Sequence, residues 1–145
     1  MDFSGVVIDY MKQKHKMYEE MDYALMDITM SPDIMPESFN LIFDKGTLDC
    51  VACNEVQTQK KIEAMLQNIY RILAPGGNFI CVSRGTPETR LLYFTNSNFN
   101  WNVETQRILK RPVTNPKAAM DGEDINQAEL FDRIDQEPYY YIYIC

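Results

Sequence analysis

A layered α/β fold is predicted by three observations in this 145-residue chain. Short apolar runs alternate with stretches of helical periodicity, the pattern of strands crossed over by helices. One run, Phe39-Asn40-Leu41-Ile42-Phe43, leads straight into Asp44-Lys45-Gly46-Thr47-Leu48-Asp49. That places two carboxylates, a lysine and a glycine at the carboxyl end of a strand, where open α/β sheets bind ligands. The third observation is a strong apolar stripe over residues 58–73, halted by Ala74-Pro75-Gly76-Gly77.

In chain order, Ser4 can cap a first helix that carries Val7, Ile8 and Met11 and runs to about Lys16. Tyr23-Ala24-Leu25-Met26 reads as a short strand ending at Asp27, and Ser31 to Ser38 as a turn-rich connection. Phe39–Phe43 is apolar at most positions, as a central strand covered on both faces would be. On the next helix Ile62, Met65, Leu66, Ile69, Tyr70 and Leu73 share one stripe. Glycine and proline then occupy the places expected just past a helix end. Phe79–Val82 is a second buried strand, Pro87–Phe94 a helix, and Trp101–Leu109 an alternating strand. Residues 111–137 form a long acidic connection, helical at most around 126–131. Tyr139–Ile144 closes the chain as a strand of β-favouring residues.

The length suits one domain, residues 1–145, with a real core. A composition of 46% hydrophobic and 24% charged residues is that of an ordinary globular protein. No apolar run approaches the ~20 residues of a membrane span, so no membrane association is expected. The first residues show neither a signal peptide nor an Arg-rich transit peptide. With a net charge of −7, acids gathered between Asp121 and Glu137, and Lys12, Lys14, His15 and Lys16 as the one basic cluster, no nucleic-acid partner is expected. Cys50 and Cys53 form C-x-x-C, but no second pair exists and His15 is the only histidine, so no metal is expected. Cys81, inside an apolar run, reads as a small core residue, and the chain as a reduced intracellular protein.

Three acids stand at strand ends: Asp2, Asp27 and Asp44. In a doubly wound sheet they would share one rim, where a carboxylate can accept from a ribose diol, worth about 1.5–3 kcal/mol when well placed. Strand-end aspartates also serve as turn and cap residues. Trp101 reads as core, Arg84 as a solvated side chain, Asp49 as a cap for the helix that follows, and Lys45 as a partner for a nearby carboxylate.

The segments Asp2-Phe3-Ser4-Gly5-Val6-Val7-Ile8, Met26-Asp27-Ile28-Thr29, Phe39 through Asp49, and Arg71-Ile72-Leu73-Ala74-Pro75-Gly76-Gly77 occur in order and at suitable separations. Together they resemble the class I S-adenosylmethionine-dependent methyltransferases. More narrowly, they resemble the group holding the elongation factor 1-alpha and citrate synthase lysine methyltransferases. The resemblance implies a Rossmann-like fold with a mostly parallel sheet and an antiparallel terminal strand. It implies methyl transfer to a protein lysine, with Asp2 on the cofactor ribose and Asp27 with Ile28 at the adenine. Asp44 and Gly46 would face the methionine moiety, and Asp44, Lys45 and Asp49 would form the catalytic, substrate-side segment.

The family's first strand and G-x-G-x-x-like loop would precede Asp2, and residues 1–145 do not contain them. The resemblance therefore implies an N-terminally truncated form of the fold. S-adenosylmethionine would bind only if that segment completes the site, and the chain alone would be inactive. Met1 stands where the family has an apolar strand residue, which fits an internal methionine. The alternative expectation is a non-catalytic remnant, a pseudoenzyme in an assembly whose protein partner covers an exposed sheet edge. The compartment implied is cytoplasmic rather than mitochondrial.

Overall fold

The structure, a computed structural model, describes residues 1–30, 33–53, 58–96, 98–110 and 139–145. Its elements are α1 (Gly5–Lys14), β1 (Phe39–Lys45), α2 (Thr47–Ala52), α3 (Thr58–Ile72), β2 (Leu73–Ser83), α4 (Pro87–Phe94), β3 (Glu104–Leu109) and β4 (Tyr139–Ile144). The long acidic connection expected over 111–137, with its helix at 126–131, lies outside the described residues, as do Ser31 and Pro32. The chain forms two compact units, Met1–Ile42 with Val51–Asn78, and Phe43–Cys50 with Phe79–Cys145.

In the first unit Ser4 caps α1, its side chain accepting from the Val7 N–H, and the helix ends at Lys14 rather than Lys16 because His15 leaves helical geometry. The strand expected over Tyr23–Met26 reduces to one parallel bridge between Asp2 and Leu25. Two backbone bonds make it, Asp2 N–H to Ala24 O at 3.1 Å and Met26 N–H to Asp2 O at 2.9 Å. On α3 the buried stripe is Ile62, Met65, Leu66, Ile69 and Ile72, with Asn68 among them. Tyr70 is exposed instead, and Leu73 already belongs to β2, because the chain passes from helix to strand without a gap. Gly76 supplies the positive φ of 76° that the start of β2 needs.

Two polar side chains tie α3 to the connection before β1. Asn68 Nδ2 donates to Ile28 O at 2.7 Å from a buried position, and Arg71 Nη1 donates to Ile34 O at 2.6 Å. Replacing Asn68 with Ala strands a buried carbonyl. The expected cost is about 1–3 kcal/mol, read as a lower denaturant midpoint at unchanged slope.

The strands form one sheet in the order β1-β2-β4-β3, and β4 runs antiparallel to both of its neighbours. The terminal strand is thus antiparallel as expected, lying between β2 and β3, which run the same way; the sheet is mixed. Phe79, Phe94 and Tyr143 are fully buried, with ring centroids of Phe94 and Tyr143 at 5.0 Å and of Phe79 and Trp101 at 6.1 Å. Trp101 is half-buried rather than part of the core; its Nε1 donates to Phe94 O at 2.7 Å and its ring packs on Phe79 at the core's margin.

β1 departs from the expectation of a strand covered on both faces. It is the edge of the sheet, and Phe39, Leu41 and Phe43 are 41%, 57% and 62% exposed, while Ile42 and Asp44 turn inward. A period of two separates the faces. The apolar outer face reads in sequence as a buried one because hydrophobicity does not say whether a helix or another layer covers that face.

All four thiols are free, Cys50 and Cys53 exposed and Cys81 and Cys145 buried. Burial pushes Cys145 up to about 12. Burial first, then the Asp44 carboxylate, drives Cys81 far above its ordinary range, and burial raises Tyr143 as well. The folded state keeps these protons after the unfolded chain has released its own. Stability is therefore complete below about pH 9 and declines as pH rises towards 12. Iodoacetamide is expected to modify Cys50 and Cys53 in the native protein, and Cys81 and Cys145 only with unfolding.

Candidate functional site

Asp2 and Asp27 belong to the first unit and share one local design. At Asp2, Oδ1 accepts from the Ser4 N–H at 2.8 Å, at the start of α1. At Asp27, Oδ1 accepts from both the N–H and the hydroxyl of Thr29, each at 2.8 Å. Among the described residues no donor meets the second oxygen of either carboxylate. Each acid is thus oriented by a short turn and retains acceptor capacity for a hydroxyl or amine of a ligand. Beside Asp27, Ile28 is buried, and its carbonyl is held by Asn68.

Asp44, Lys45, Gly46 and Asp49 belong to the second unit, where the structure gives most of them internal partners. Asp44 is only 6% exposed. Its Oδ1 accepts from the Thr47 N–H at 2.9 Å and its Oδ2 from the Leu48 N–H at 3.1 Å, with Cys81 Sγ at 3.5 Å from the latter. It is therefore Asp44, and not Asp49, that caps the short helix α2, satisfying amides that have no intrahelical acceptor. Gly46 has φ of 90°, a conformation costly for any residue with a Cβ, and its carbonyl accepts the first helical bond from the Cys50 N–H at 2.9 Å. Lys45 pairs with no carboxylate among the described residues; its Nζ lies 5.6 Å from the centre of the Tyr140 ring, with Lys110 Nζ at 5.0 Å from the same ring.

Asp49 reaches across to the end of β2. Its carboxylate accepts from Ser83 Oγ, from the Arg84 N–H at 2.8 Å and from Arg90 Nη2 at 3.3 Å. Ser83 is fully buried, and its hydroxyl also accepts from the Gly85 N–H at 3.0 Å and Arg90 Nε at 3.2 Å. Ser83 and Arg90 were not marked by the sequence reading. Only the helix start at Thr86-Pro87 is legible there, and contacts spanning this much chain leave no local pattern.

A cavity of about 330 Å³ lies beside the end of α1, bounded by Lys12, Lys16, Glu19, Asp22 and Tyr23 among others. No predicted site residue lines it, and its charges are mixed. Among the described residues no group of three histidine, cysteine or acidic side chains stands together for a metal, and no helix is long and apolar enough to cross a membrane.

Residues 1–81 match the family model described as a methyltransferase domain. Mouse (Mus musculus) EEF1A lysine methyltransferase 4 is 26% identical over 110 residues, 71% of this chain and 43% of that protein. Human (Homo sapiens) eEF1A lysine and N-terminal methyltransferase is 35% identical over 85 residues, 57% of this chain and 12% of that protein. The chain thus spans less than half the length of these relatives. Among solved structures, N-methyltransferase NodS from Bradyrhizobium japonicum, in complex with S-adenosyl-L-homocysteine, aligns with a TM-score of 0.56 at 16% identity. That alignment covers 99% of this chain and 62% of NodS, and shows a shared fold. By its motifs, its mixed sheet and its match to the family model over residues 1–81, the chain belongs to the methyltransferase-domain family, with the Rossmann-like class I fold.

Proposed function

We propose that these residues supply the ribose side and the acceptor side of an S-adenosylmethionine-dependent protein-lysine methyltransferase. The observation that carries this reading is the half-engaged carboxylate of Asp2, oriented through Oδ1 by the Ser4 N–H and with no donor at Oδ2 among the described residues. Such an oxygen fits a ribose hydroxyl, while Asp27 and the apolar Ile28 fit the polar edge and the face of adenine. The cofactor supplies an electrophilic methyl group when bound. Asp44, by capping α2, holds the Lys45–Gly46 turn in which the acceptor amine is oriented, and proximity contributes much of the rate. Methyl transfer on this reading also needs a glycine-rich segment that residues 1–145 do not include. The lysine acceptor is suggested by the names of the mouse and human relatives.

The test is methyl incorporation into lysines of purified elongation factor 1-alpha by the protein at its cellular length, read by peptide mass spectrometry. Methylated lysine that disappears on boiling the enzyme is the expected result. Cofactor binding without methylation would move the acceptor to another protein. A second reading, a non-catalytic assembly subunit in the cytoplasm, draws on the apolar outer face of β1 at Phe39, Leu41 and Phe43. Under it, β1 amides gain exchange protection in the endogenous protein complex, and no cofactor binds.

A further inference from the structure

We propose that Asp49 is a positioning residue that fixes the Ser83–Gly85 turn, together with Arg90, and is not the group that receives a proton from the acceptor amine. The inference rests on the methyltransferase reading for its functional consequence, and on the hydrogen bonds alone for its structural part. Asp49 offers three of its acceptor positions to Ser83 Oγ, the Arg84 N–H and Arg90 Nη2, so taking up a proton would remove the charge that strengthens all three bonds. Its side chain and that of Arg90 are only 16% and 14% exposed.

The turn is held from every side by partners distant in sequence. Arg90 bridges Asp49 and Ser83 with a single guanidinium, donating from Nη2 to one and from Nε to the other. Gly85 leaves room for that guanidinium: a Cβ there would stand 2.3 Å from Arg90 Nε and push the side chain aside. Tyr143, fully buried in the core, donates its hydroxyl to Gly85 O at 2.8 Å. The turn follows the carboxyl end of β2, the edge of the sheet at which ligands of such folds are received. Four side chains spent on three residues of backbone make the turn a built feature of the acceptor side.

The experiment compares amide exchange at Arg84 and Gly85 by NMR in the full chain, in the wild type, Asp49→Asn and Gly85→Ala. Loss of one charge-assisted acceptor is expected to speed exchange at Arg84 about tenfold or more, with Phe79 and Cys145 unchanged. Gly85→Ala, which displaces Arg90 without touching Asp49, is expected to do the same should Asp49→Asn not fold. Unchanged exchange at Arg84 overturns the proposal. In the active, full-length enzyme Asp49→Asn is expected to raise the KM for the protein acceptor with cofactor affinity intact, and to keep the shape of the kcat/KM pH profile. Loss of the basic limb of that profile would make Asp49 the proton acceptor and overturn the proposal as well. Failure of the wild type to bind cofactor would sink the methyltransferase reading, while the exchange data still decide the positioning role.

Discussion

Phe79→Ala is expected to remove about 3–5 kcal/mol of stability, the largest single loss in the chain. Phe79 has no exposed surface and lies between Phe94, at 6.3 Å, and Trp101, at 6.1 Å between ring centroids. Its backbone exchanges two hydrogen bonds of 2.9 Å with Cys145, so the chain terminus is docked on the same residue. The rings of Phe94 and Trp101 border the space that the substitution would leave. Since domains of this kind are stable by about 5–15 kcal/mol, such a loss consumes a large fraction of the total. Trp101, the only tryptophan, touches the site and reports it by fluorescence. The expected result is a large fall in the urea midpoint at constant slope.

Asp44→Ala is expected to cost about 2–4 kcal/mol, combining a lost cap with two amides left without an acceptor in a buried position. The effect follows from the Thr47 and Leu48 N–H bonds and from the complete burial of Leu48, whose side chain anchors α2. Asp44→Asn retains one acceptor oxygen and is expected to lose less than half as much. It should also ease ionisation of Cys81, since the Asp44 carboxylate is one of the groups holding that thiol protonated. Urea midpoints, with thiolate absorbance followed against pH in the wild type and Asp44→Asn, are the measurements.

These residues show what a single sequence makes legible. Helix α3 is readable because its stripe repeats for four turns, although Tyr70 faces outward and the stripe ends at Ile72 rather than Leu73. The cap of α1 was readable because Ser4 stands one residue before the helix. The cap of α2 was misassigned to Asp49, although Asp44 lies three residues before Thr47, the spacing a capping carboxylate needs. The exposure of Phe39, Leu41 and Phe43 was not legible, since an edge strand and a covered strand can carry the same residues. Nor was the bridge from Asp49 to Ser83, Arg84 and Arg90, which joins segments far apart in the chain. The sheet order could be anticipated only through the resemblance, because residue pattern alone does not say that β4 lies between β2 and β3.

The functional reading separates the four acids by what their oxygens already do. Asp44 and Asp49 are bound up in the fold, and at Asp2 and Asp27 one oxygen meets no donor among the described residues. The most direct measurement is therefore calorimetric titration of S-adenosylhomocysteine into the protein at its cellular length, wild type against Asp2→Asn. The expected result is saturable binding by the wild type, weakened about tenfold or more by the substitution, as loss of a charged acceptor requires. Equal affinity in the two proteins would mean that Asp2 does not hold the ribose, and no binding by either would leave the assembly subunit as the better description.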